Sequence, residues 1–213
     1  TRLAGSAMSR ATTALLDADV HLAESVIEAD QRIDAVRDQL ERLSIDILAR
    51  QQPVATDLRT VVTALRMSAD LERMGDLSRH VAKVARLRYP QSAVPPQLRS
   101  HFTQMGAVAA GIVSKAGTII AAKDVDAART LEDDDDAMDA LHRELFSQAI
   151  NENFAFTRET VVDIALLGRY YERFADHAVS IARRVVYLVT GEFEGDEDGE
   201  PEHGLAQEAG VAD

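Results

Sequence analysis

Proline sets the first limit on how this chain can fold. Its five prolines stand at 53, 90, 95, 96 and 201. A proline inside a helix removes a hydrogen bond and clashes with the preceding turn, so long helices have room only between these positions. Between 54 and 89 the sole interruption is Gly75, which leaves space for a helix of about 50 Å at 1.5 Å per residue. Upstream, Ile33, Val36, Leu40, Leu43 and Ile47 step by threes and fours along one helical face. That helix is predicted to stop near Gln52, with Pro53 in the first turn of the next. Asp17-Ala18-Asp19 reads as a smaller break, with Asp19 as the N-cap of the next helix.

Beyond a linker bounded by Tyr89-Pro90 and Pro95-Pro96, the pattern returns. Helices are predicted over 97–122, in a short piece capped by Asp124, over 134–151, and over 155–189, ending near Gly191. β-alternation is hard to find, so the expected fold is all-α.

The 213 residues carry 36 acidic and 23 basic side chains, a net charge of −13. Nine of the acids and none of the bases lie in 192–213, which leaves 27 against 23, a net of −4, in residues 1–191. The glycine-rich acidic tail has too little apolar surface to offset its ordering entropy and is predicted to be disordered. The negative balance argues against a nucleic-acid footprint. With no cysteine, disulfide scaffolds, thiolate zinc sites and cysteine catalysis are excluded. No uninterrupted run of 18 apolar residues and no leader pattern is seen, so a cytoplasmic chain is expected.

The linker falls near the middle of the body, and the two sides match. A shift of 100 aligns Thr60-Val61-Val62 with Thr160-Val161-Val162, Glu72-Arg73 with Glu172-Arg173, Asp76 with Asp176, and Ala82 with Ala182. Upstream a shift of 105 brings Asp30 and Asp34 onto Asp135 and Asp139. The chain therefore reads as two tandem, similar three-helix bundles: 1–90, a linker 91–96, 97–191, and the tail 192–213.

Each copy holds two acid pairs spaced by one helical turn: Asp30/Asp34 with Glu72/Asp76, and Asp135/Asp139 with Glu172/Asp176. Like charges at that spacing repel, and four carboxylates on neighbouring helices suit a hard or borderline cation. On the last helix Glu172 and Asp176 sit at the margin of the apolar stripe, so a metal is expected on the surface or in a shallow groove. Arg73 is expected to form a surface ion pair with Asp70 or Asp76. His80 and His177 read as solvated surface residues. The acids of 132–136 read as a solvated helix start, Asp135 apart. The only Glu-x-x-His, Glu200 to His203, lies in the tail, and no P-loop, nucleophile elbow or zincin motif occurs. No nucleophile with its base can be assigned, so no enzyme is expected.

Two stretches carry a family resemblance. Gln51-Gln52-Pro53-Val54-Ala55-Thr56-Asp57-Leu58-Arg59, followed by Asp70-Leu71-Glu72-Arg73-Met74-Gly75-Asp76, resembles the PhoU family of phosphate-signalling regulators. Tyr171-Glu172-Arg173-Phe174-Ala175-Asp176-His177-Ala178, with Ile181-Ala182 and Thr190-Gly191, resembles that family's second repeat. The likeness covers roughly 8–191. It implies two three-helix bundles and metal sites at the Glu/Asp-x-x-x-Asp motifs, which fall on all four acid pairs above. Iron and zinc are the family's known metals; manganese or magnesium would also suit carboxylates. It further implies a non-enzymatic negative regulator of the phosphate-starvation response. Such a protein links the high-affinity phosphate ABC transporter to a PhoR-type sensor histidine kinase, at the inner face of the membrane and as a homodimer. Phe174-Ala175 replaces Met74-Gly75, and Asn153-Phe154 replaces Pro53-Val54. The alternatives are a metal-dependent hydrolase on a helical scaffold and a purely structural dimerising bundle.

Overall fold

The computed structural model describes residues 1–150 and 156–192. Among them the regular structure is entirely helical. Eight α-helices are found in the order α1 (Arg2–Asp17), α2 (Val20–Ala29), α3 (Gln31–Gln51), α4 (Ala55–Arg88), α5 (Arg99–Ala122), α6 (Val125–Arg129), α7 (Leu131–Ala149) and α8 (Arg158–Thr190). A 3₁₀ turn, Pro96–Leu98, leads into α5. The acidic tail and the Asn153-Phe154 substitution lie outside the described residues.

The ends of these helices have local causes. Asp19 accepts from Leu22 N at 2.9 Å, and Asp124 from Ala127 N at 3.0 Å, each satisfying an otherwise orphaned amide. Thr157 does the same for Thr160 N at 3.1 Å. Gly191, at φ 85°, closes α8 by donating to Tyr187 O at 2.9 Å. Three boundaries differ from those expected from sequence. Pro53 precedes α4 rather than opening it, because Gln52 and Ala55 both take left-handed backbone (φ 44° and 47°) and delay the helix start. The helix before Pro53 breaks a second time, at Asp30, between α2 and α3. Helix α7 starts at Leu131, so Glu132, Asp133 and Asp134 occupy its first turn, where acids complement the dipole. Glu132 is held by Arg183 Nε at 2.6 Å and Asp134 by Lys115 Nζ at 2.6 Å; these two are not merely solvated.

The longest helices, α4 and α8, pack along each other, and the rest attach around them. Helices α1, α2 and α3 lie against α4; α5, α6 and α7 lie against α8; α1 also packs on α5. One continuous apolar cluster draws on both halves, including Met8, Leu15, Met74, Phe102, Met105, Met138, Leu145, Tyr171 and Phe174. Helix α5 with its leading turn, 96–122, reaches a mean hydropathy of 1.6 over its most apolar window. By length and composition it could cross a bilayer, contrary to the sequence expectation. Ser114, Lys115 and Thr118 interrupt its apolar run and hid it there. In the fold Phe102, Met105, Ala109, Ile112, Ala116 and Ile119 enter the core.

The α4–α8 seam is polar at both ends. Asp70, buried, receives Arg184 Nε at 2.7 Å and His177 Nδ1 at 3.1 Å. Burial pushes its carboxyl up, but the bonds from His177 and Arg184 outweigh this and hold it below the usual range. Toward the other end, Arg88 grips buried Asp163 through Nε at 2.5 Å and Nη2 at 3.0 Å. Between them His80 stacks on Tyr170, centroids 5.2 Å apart. His80 and His177 are thus seam residues, a correction to their reading as solvated surface groups. A lone histidine gives no sign in sequence of which face of its helix meets a partner.

Tyr171 is fully buried, and its phenol is held far above its ordinary range by burial. Thr12 donates its one hydroxyl proton to Met8 O at 2.8 Å, so the 2.7 Å contact between Thr12 Oγ1 and Tyr171 Oη has tyrosine as the donor. This bond ties α1 to α8 inside the core. Tyr171→Phe is expected to cost about 1 kcal/mol and to lower Tm by roughly 2–4 °C, with unchanged helix content by circular dichroism. An unchanged Tm would show that the bond contributes nothing.

Candidate functional site

The acid pairs lie on the far side of α4 and α8 from the seam. At about 3.6 residues per turn, Arg88 is a whole number of turns from Asp70 and shares its face of α4. Glu72 and Asp76 fall on the face roughly opposite. On α8 the same count places Glu172 and Asp176 nearly opposite Asp163. Each pair therefore faces the helices of its own copy, not the other copy.

In the first copy the pair meets the α2–α3 break, where Asp30 O accepts from Ile33 N at 2.8 Å and Asp34 N at 3.2 Å. Asp30 is only 4% exposed. Glycine makes this possible: a Cβ on Gly75 would lie 2.9 Å from Asp30 Oδ1 and 2.8 Å from Ile33 Cδ1. Burial pushes the Asp30 carboxyl up; Arg79 opposes this, while Asp34, Asp76 and Glu72 add to it. Arg79 Nη1 stands 2.6 Å from Asp30 Oδ2, an ion-pair contact without hydrogen-bond geometry, and the same guanidinium bonds Asp76. Arg73 Nη1 lies 3.2 Å from Asp76 Oδ2, one of the two partners expected for it from sequence.

In the second copy Asp135 and Asp139 lie on α7, facing Glu172 and Asp176 on α8. Asp135 is half-buried, and its carboxyl is raised from the ordinary 3.8 to about 6. Burial is the main cause, followed by the charges of Asp176, Asp139, Asp136 and Glu172. Asp176 is raised by burial and by Glu172 and Asp139, against the opposing charges of Arg169 and His177. Arg169 pairs with Glu172, and Asp135 Oδ1 is buried with no hydrogen-bond partner.

The fold thus brings together the four acids of each copy, and it keeps the two sets apart. Among the described residues no three acid or histidine side chains converge on a point close enough to hold a metal ion in their present rotamers. In chemistry the second cluster fits a hard or borderline cation: carboxylate oxygens, mutual repulsion and an orphaned buried oxygen. Its candidate holders are Asp135, Asp139, Glu172 and Asp176. In the first cluster Asp30 and Asp76 already share a guanidinium, and Asp34 and Glu72 complete the set. Arg79 and Arg169 were missed in the sequence; only their spacing of three from Asp76 and Glu172 marked them.

These features define a duplicated helical bundle with a carboxylate cluster on the outer flank of each copy. The PhoU domain family matches residues 1–85 and again 102–185, in agreement with the internal repeat. The chain belongs to the PhoU family. It is 46% identical over 191 residues to phosphate-specific transport system accessory protein PhoU homolog 2 of Mycobacterium tuberculosis, covering 90% of each chain. It is 33% identical to the PhoU homolog of Pseudomonas aeruginosa, covering 85% of this chain and 75% of that one. Among solved structures it matches PhoU from Pseudomonas aeruginosa with a TM-score of 0.79 at 32% identity, covering 89% and 91% of the two chains. It also matches the phosphate transport system regulatory protein PhoU from Streptococcus pneumoniae, with a TM-score of 0.81 at 26% identity, covering 90% of each.

The raised carboxyl of Asp135 has a pH consequence. Its folded-state value lies above its unfolded value, so the folded chain holds the proton more tightly between about pH 4 and 6. Stability is lost as pH rises through that window, and the penalty persists above it. In EDTA-treated protein, Asp135→Asn is expected to raise Tm at pH 8 by roughly 1–2 °C, a small effect because the group is partly exposed and screened. The gain should vanish below about pH 4. Equal Tm values at pH 8 would remove the charge crowding from the account.

Proposed function

We propose that this chain is an accessory regulator of phosphate transport that restrains the phosphate-starvation response. In this reading it couples a high-affinity phosphate ABC transporter to a PhoR-type sensor histidine kinase. It acts at the cytoplasmic face of the membrane through those partners, as a homodimer and without catalysis of its own. The observation that carries the reading is the duplicated bundle, matched twice by the PhoU domain and similar over nearly the whole chain to a protein named as a phosphate transport accessory. The clusters are read as cation sites for iron, zinc, manganese or magnesium, with the second the better fitted. Cation binding there would relieve the repulsion among Asp135, Asp139, Glu172 and Asp176 and brace α7 against α8.

The test is deletion in a host with no other relative of this chain. Phosphate-responsive genes should then stay active in phosphate-rich medium, measured as transcript level, and the wild-type chain should silence them. Unchanged repression in the deletion strain would overturn the regulatory role. Complementation with Asp135→Asn/Asp176→Asn separates the two parts of the reading. Restored repression would leave the adaptor role standing and remove a metal at the second cluster from it.

A further inference from the structure

The two copies differ in what neutralises their acids. In the first, Arg79 is drawn in between helices: its side chain is 29% exposed, and it reaches both Asp30 and Asp76. Asp30 is buried deeply enough to need that partner, since an unpaired buried carboxylate is costly. Gly75 is what admits it. In the second copy position 175 is Ala and position 179, the equivalent of Arg79, is Val, itself 6% exposed. Arg169 sits at the rim, 54% exposed, and takes up Glu172. Asp135 Oδ1 and Asp30 Oδ2 both lack a hydrogen-bond partner, but Asp30 Oδ2 has the Arg79 guanidinium at 2.6 Å as counter-charge.

We propose that Arg79 is a built-in counter-cation that takes the place of a divalent ion in the first cluster. This rests on the reading of the acid clusters as cation sites. A planar guanidinium suits two carboxylates from different helices, and its fixed charge repels an incoming divalent ion at the same oxygens. An ion could enter only by expelling Arg79 from a buried carboxylate. The chain then takes up metal through Asp135, Asp139, Glu172 and Asp176 alone, although both copies carry the same paired acids.

The experiment counts bound manganese by elemental analysis after EDTA stripping and equilibration with Mn²⁺. Asp30→Asn/Asp34→Asn should keep the parental uptake, and Asp135→Asn/Asp139→Asn should lose it. Arg79→Val should raise uptake about twofold in the parental chain by freeing a second set of oxygen ligands. In the Asp135→Asn/Asp139→Asn background it should restore uptake and make Tm rise with added Mn²⁺. A folded Arg79→Val protein that gains no manganese overturns the proposal, as does loss of half the uptake or more on changing Asp30 and Asp34. Should Arg79→Val fail to fold, the Asp30/Asp34 arm decides alone. A parental chain that takes up no manganese refutes the metal reading of the second cluster, and the Arg79→Val gain still judges the first.

Discussion

The antiparallel seam between α4 and α8 is the contact on which the other features depend. It joins the two copies through charge at both ends, Asp70 with Arg184 and Arg88 with Asp163, and through the apolar cluster between them. Such pairs are a weak source of net stability, because desolvating the charges offsets much of their attraction. Their effect is on register: a one-turn slip would leave Asp70 and Asp163 buried without partners. A fixed register also fixes the outer face. The residues nearly half a turn from Asp70 and Asp163 are the acids, and they can point only at the helices of their own copy.

Much of this was legible in sequence because helix signals are local. Prolines, caps at Asp19 and Asp124, and the terminal Gly191 act on neighbours within a turn, and they marked most of the elements. The shift of 100 was legible because α4 and α8 repeat the same motif in one unbroken helix. The break at Asp30 was not, since no proline or glycine marks it and Asp30 itself keeps helical backbone angles. The seam roles of His80 and His177 were hidden for a related reason. They depend on which face of a helix meets another some hundred residues away; for His80, an apolar stripe running nearly all round α4 gives no single direction.

The candidate site was legible as composition and not as arrangement. Eight acids in two matched sets follow from the spacing taken with the internal repeat and the family resemblance. Spacing does not show that in one set a guanidinium is drawn between two acids, while in the other it holds only Glu172 at the rim. Arg79 differs from the many surface arginines only in that Asp30 is buried beside it, and a Cβ at position 75 would crowd Asp30 where it lies. The substitution of Met74-Gly75 by Phe174-Ala175, in sequence a change of bulk without change of charge, is therefore electrostatic in its effect. One methyl group helps decide how far a carboxylate enters between helices, and so whether it requires a partner from within.

Duplication supplied two equivalent acid clusters, but equivalence of sequence position has not kept equivalence of charge. In the first cluster Gly75, Asp30 and Arg79 form one dependency: the glycine admits the acid, and the acid then needs the arginine. Adding a Cβ at position 75 creates a clash with Asp30 and Ile33, and removing the arginine leaves a buried carboxylate unpaired. The second copy has neither the glycine nor the arginine, and its acids remain partly exposed and in mutual repulsion. That repulsion is a standing bias in α7 against α8, relieved by a proton on Asp135 and, on the proposed reading, by a bound cation. The first cluster is held by a charge that the chain itself supplies, although burial pushes the Asp30 carboxyl up there too. The copies therefore differ in how their acids are met: an arginine drawn between two acids in the first, and one bound to a single acid at the rim in the second.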